Sequence, residues 1–113
     1  MASINQVTLL GRVGQKPTTS TAASGVSIAK FSLATSRKVN NAEETQWHNI
    51  VCFSGAADFA GKYLNKGDQV VVIGEIKYNK YTDDKGIEKV LTSIIANNVQ
   101  QASRKEQATN DLP

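Results

Sequence analysis

One domain of the all-β class is what this sequence predicts, and three observations carry that reading. Apolar residues recur mainly with period two, the runs are separated by glycine-bearing turns, and only one segment has helical spacing. A chain of 113 residues, 40% hydrophobic and 20% charged, has enough apolar material for one core and too little for two.

The elements follow in chain order. Val7, Leu9 and Gly11 share one face of a first strand and Gln6, Thr8 and Arg12 the other, with Gly14 and Pro17 closing it. Residues 18–25 hold Thr, Ser, Ala and Gly without an apolar anchor and read as a loop. Ala29, Phe31 and Leu33 alternate with Lys30, Ser32 and Ala34 in a second strand, and the polar residues 37–45 read as an exposed connection. A third strand runs from Gln46 to Phe53, where Trp47, Asn49, Val51 and Phe53 face one way and His48, Ile50 and Cys52 the other. Ser54 is placed to cap a short helix lined by Ala56, Phe59, Ala60, Tyr63 and Leu64, with Gly67 as its stop. Val70 to Tyr81 form a fourth strand, residues 83–86 a hairpin turn, and Ile87 to Val99 a fifth strand.

Five strands with a helix between the third and fourth is the order of the oligonucleotide/oligosaccharide-binding (OB) barrel. The division expected is a barrel domain over residues 1–102 and a solvated polar tail over 103–113, the polar character beginning after Val99. The two basic and two acidic residues from Arg104 onward cancel, so the domain holds the net charge of +3.

Charge and cysteine usage narrow the chemistry. A pI near 9.1 permits an anionic partner without the density of a histone-like binder. One cysteine and one histidine leave no internal disulfide and no zinc cluster, and no run approaches the ~20 apolar residues of a membrane span. The start lacks a basic segment followed by an apolar run, so a reducing cytoplasm is expected, with no membrane partner and no cofactor. Glu43 with Glu44 and Asp83 with Asp84 are adjacent pairs that diverge rather than converge on a metal, and Cys52 reads as core, so no catalytic residue is assigned.

Single-strand binding needs π-faces for bases and cations for phosphates on one surface. Trp47, Phe53 and Tyr81 are the candidate faces, although each can also be read as barrel filling, Tyr81 least because its strand partners are hydrophilic. Lys77 shares the parity of Tyr81; Lys80 has the opposite parity near the hairpin tip. Arg12, Lys30, Arg37, Lys38 and Lys62 are candidate phosphate contacts, each also readable as a solubilising charge. Tyr78, on the parity of Val72 and Ile76, reads as packing rather than binding, though a barrel hairpin can twist it outward, and His48 points inward as a buried or interface hydrogen-bonding group.

Four ordered motifs carry a resemblance: Asn5-Gln6-Val7-Thr8-Leu9-Leu10-Gly11-Arg12-Val13-Gly14-Gln15-Lys16-Pro17, Phe31-Ser32-Leu33-Ala34-Thr35-Ser36, Thr45-Gln46-Trp47-His48-Asn49-Ile50-Val51, and Tyr63-Leu64-Asn65-Lys66-Gly67-Asp68-Gln69-Val70. Together they resemble the bacterial single-stranded DNA-binding protein family over residues 4–99. The resemblance implies base stacking on Trp47, Phe53 and Tyr81, the last a tryptophan in many relatives, and it aligns a further stacking tryptophan of some relatives with Val39. It implies a homotetramer built as a dimer of dimers, with His48, Asn5 and Tyr78 at subunit contacts. The end, Asn110-Asp111-Leu112-Pro113, resembles a reduced form of the acidic tip through which relatives dock on replication and repair proteins; a phage, plasmid or divergent short form and a shortened chain both fit.

The function these readings imply is non-enzymatic, sequence-independent binding and protection of single-stranded DNA in replication, recombination and repair. Three rivals share the barrel: a primosomal replication-restart accessory protein, usually dimeric; a protein-interaction adaptor; and an RNA binder.

Overall fold

Alternation decides which residues turn inward. In a computed structural model describing residues 2–103, β1 (Val7–Val13) directs Val7, Leu9, Gly11 and Val13 to the interior, and β3 (Ser27–Val39) does so with Ala29, Phe31 and Leu33. From β4 (Ala42–Phe53) come Ile50 and Cys52; β5 (Gln69–Thr82) adds Val70 and Val72, and β6 (Glu88–Ser103) adds Ile94, Ala96 and Val99. Ala57, Ala60 and Leu64, from the helix α1 (Ser54–Tyr63) and the residue that ends it, seal this core.

The hydrogen-bonded strand order is β1-β5-β6-β4-β3-β2, where β2 is Thr18–Thr21. Pairing of Arg12 with Ala34 and Val13 with Leu33 joins β1 to β3, so five strands close into a barrel and β2 remains as an edge. A short parallel ladder, Ile50 to Ile94 through Cys52 to Ala96, links β4 with β6. Closure needs close backbone approach at Gly11, where a Cβ would collide with the Ala34 carbonyl oxygen. With the helix lying between the third and fourth barrel strands, this is the OB architecture expected from the element order.

Several local expectations are corrected. Residues 18–21, read as loop, are strand β2: all four side chains are exposed, so no alternation betrays a strand held only by its backbone pairing with β3. The connection at 37–45 is instead a hairpin, with Val39 opposite Ala42 and a turn at Asn40 and Asn41, whose φ values of 52° and 66° are those of a type I′ turn. Ser54 makes no capping hydrogen bond; Phe53 occupies the N-cap and Ser54 begins the helix with φ 56°. Tyr63 is half exposed, its ring 5.4 Å from that of Phe59, because Ala57 and Leu64 take the inward positions. Strand β6 continues to Ser103, so Gln100–Ser103 pair with β5 rather than starting the tail; the buried Asp68 carboxylate accepts from Gln101 Nε2 at 3.0 Å and the Asn65 N–H at 2.9 Å. The tail from Arg104 lies outside the described residues.

Candidate nucleic-acid interface

Outward parity builds a face from two elements. On β4 it carries Trp47, Asn49, Val51 and Phe53, opposite Ala34, Ser32, Lys30 and Ile28 of β3. Beyond Ile76, and before Ile94 on the partner strand, β5 and β6 leave the barrel as a two-stranded arm. Direct cross-strand partners share a side, so Lys77 with Ser93, Asn79 with Leu91, and Tyr81 with Lys89 form one face of that arm. Leu91 and Ser93 meet Lys30, Ser32, Asn49 and Val51 around a groove of about 430 Å³, which makes the arm and the β3–β4 surface walls of one trough. Asn49 Nδ2 donates to the Thr92 carbonyl at 3.3 Å, tying the arm's base to β4.

The three expected aromatics are accessible there: Trp47 is 62% exposed, Phe53 42% and Tyr81 48%. Barrel filling is therefore excluded for all three. Trp47 lies close against a glycine, since a Cβ on Gly14 would lie 2.5 Å from both Ser32 Oγ and Trp47 Cζ3. The indole thus touches the β1–β2 connection and leaves most of its surface to solvent, where a base can reach it.

The expected cations divide. Lys30 and Lys77 lie with the aromatics. Arg12 stands in line with Ala34 and Trp47 on the same face, with Nη1 donating to the Gly67 carbonyl at 2.9 Å. Lys38, opposite Glu43, has Trp47's parity, whereas Arg37 faces the other way beside Glu44 at 3.8 Å. Lys80, opposite Val90, is on the reverse of the arm from Tyr81. Lys62 lines a separate cleft between α1 and β2. Three contributors escaped sequence reasoning: Gly14, Leu91 and Lys89. The pairing of Tyr81 with Lys89 follows from a hairpin register that a count back from the Asp83–Gly86 turn misses by one: such a count puts Glu88 opposite Tyr81, whereas Asp83 bonds Ile87 and shifts the partner to Lys89.

His48 is half-buried on the inner parity, with Nε2 2.9 Å from Thr35 Oγ1. Asn5 uses its amide within the chain: Nδ2 donates to the Ile76 carbonyl at 2.8 Å, and Oδ1 accepts the Ile76 N–H at 2.9 Å, extending the β1–β5 ladder by a side chain. Tyr78, expected to pack inside, is 66% exposed, because the arm has already left the barrel at that point. Cys52 is fully buried, and burial pushes its thiol up to about 11, which keeps it protonated and unreactive at neutral pH.

Residues 4–102 match the Single-strand binding protein family. The chain belongs to that family. It is 45% identical over 102 residues to the single-stranded DNA-binding protein of Xanthomonas campestris pv. campestris, an alignment covering 86% of this chain and 59% of the relative. The corresponding Xanthomonas axonopodis pv. citri protein is also 45% identical, with 57% of its length covered. The single-stranded DNA-binding protein of Neisseria meningitidis serogroup A is 34% identical over 116 residues, covering 98% of this chain and 67% of the relative. The chain thus spans less than two thirds of the length of the Xanthomonas relatives. The trough residues and Trp47, Phe53 and Tyr81 all fall inside the family match.

Proposed function

We propose that this chain is a non-enzymatic, sequence-tolerant binder of single-stranded DNA that coats strands exposed in replication, recombination and repair. The carrying observation is that Trp47 and Phe53 stand exposed on the β4 face beside Lys30, that Tyr81 stands exposed on the arm face that carries Lys77, and that one trough joins the two faces. Bases of any identity offer a π-face, so stacking contributes roughly 1–3 kcal/mol per base without reading sequence. Lysines and arginines neutralise phosphates and release condensed counterions, which supplies affinity that falls with salt. A duplex hides the base faces and cannot use the platform.

The working unit of this reading is a homotetramer, a dimer of dimers in the cytoplasm, with His48 and Tyr78 at subunit contacts. Supporting it is the reverse of the arm, where Tyr78 and Val90 leave apolar surface exposed in the single chain, at 66% and 55%. Asn5 supports that contact indirectly, by fixing the edge of β5 next to it.

The direct test uses the only tryptophan. Titrating oligo(dT) into the protein should quench Trp47 emission saturably, because stacking changes the indole's environment. Emission unchanged while a labelled strand is demonstrably bound would remove Trp47 from the site.

A further inference from the structure

The tip of the β5–β6 arm is organised around one carboxylate. Asp83 Oδ1 accepts the backbone N–H groups of Lys85 and Ile87, both at 2.9 Å, inside a turn closed by the Asp83 N–H to Ile87 carbonyl bond at 3.0 Å. Its other oxygen, Oδ2, lies 3.3 Å from Lys89 Nζ. Lys89 is the direct cross-strand partner of Tyr81, and its side chain remains 51% exposed. A single acidic group therefore sets the shape of the tip and also holds a cation beside an exposed aromatic on the trough face.

We propose that Asp83 is a positioning residue with two separable actions: Oδ1 fixes the turn that presents Tyr81, and Oδ2 restrains Lys89 in an ion pair that an incoming DNA phosphate replaces. This rests on the single-strand binding reading above. An exposed ion pair is worth little and exchanges readily. When Lys89 turns to a phosphate, Asp83 is left to attract cations from solution, so counterion release at the phosphate is partly offset at the carboxylate. Lys89 thus contributes contact and orientation with a reduced salt dependence, and the adjacent negative charge weakens binding at low salt.

The test compares Asp83→Asn, Asp83→Ala, Lys89→Gln and the double variant Asp83→Asn with Lys89→Gln, measuring oligo(dT) affinity across salt concentrations and amide hydrogen exchange at Lys85 and Ile87. Asparagine keeps the acceptor Oδ1 and loses the charge. Asp83→Asn should retain amide protection, bind several-fold more tightly at low salt, and steepen the log–log salt slope by up to about 0.7, the contribution of one single-strand phosphate contact. That gain should vanish in the double variant. Asp83→Ala should lose protection at both amides and bind more weakly than Asp83→Asn at every salt concentration. Equal affinities and slopes for Asp83→Asn and the parent protein would overturn the Lys89 restraint, and unaltered amide protection in Asp83→Ala would overturn the turn-fixing role. Failure of the parent protein itself to bind oligo(dT) would instead remove the reading beneath both.

Discussion

Trp47 and Tyr81 stand on outward faces where truncation removes exposed aromatic surface without opening a cavity. Trp47→Ala and Tyr81→Ala should each lower oligo(dT) affinity roughly five- to a hundredfold, corresponding to about 1–3 kcal/mol, with the melting temperature nearly unchanged. Titration alongside thermal unfolding checks this; a loss of fold with normal binding by the folded fraction would return both side chains to the core. Gly14 provides a subtler case, since a Cβ there meets Ser32 and the indole of Trp47. Gly14→Val should displace the ring and weaken binding while leaving the barrel closed, which tryptophan emission and circular dichroism together report. Cys52 behaves as core. Its thiol should resist a disulfide reagent at pH 8 in the native protein and react promptly in denaturant. Because burial raises its folded-state pKa from 9.0 to about 11, the stability linked to that proton is complete below pH 9 and lost as pH rises through 11.

Strands were legible in sequence where one face is buried and one is wet. On β4 the alternation of Trp47, Asn49, Val51 and Phe53 against His48, Ile50 and Cys52 places every side chain on its correct side, because a one-residue slip would expose the core. The same logic is silent where both faces meet solvent, as in β2 and in the β3–β4 hairpin beyond Ser36, whose strands are held by ladder hydrogen bonds and pairs such as Ser36 with Thr45. Of the site, the aromatics were visible because they interrupt polar faces. Lys89 was not, because only the register of the arm brings it beside Tyr81. The hairpin turn makes its own prediction. Asn41, at φ 66°, should tolerate glycine with no loss of stability, whereas Asn41→Val should cost about 1–2 kcal/mol through left-handed strain, as denaturant unfolding would show. A valine variant as stable as the parent would mean that the turn relaxes to another type.

At the scale of the whole molecule, the proposed function gives one trough on one barrel a short stretch of strand, about 4–16 nucleotides for a fold of this kind, and longer strands then call for several barrels held by symmetry. Replacing His48, which bonds Thr35 on the side away from Trp47, with a charged residue should lower the oligomeric mass on dilution and weaken binding to long oligo(dT) more than to short. Light scattering with paired affinities would show it; unchanged mass with equal loss on both lengths would put His48 in the DNA site. In the proposed function, exposed aromatics and dispersed cations select unpaired strands. Affinities for oligo(dT) and for duplex DNA of equal length, measured across a series of salt concentrations, decide whether they do. Binding to the single strand should be much tighter at every salt concentration, weakening with a slope of about −0.7 per neutralised phosphate. Equal affinity for the two forms across the series would rule out selection for unpaired strands.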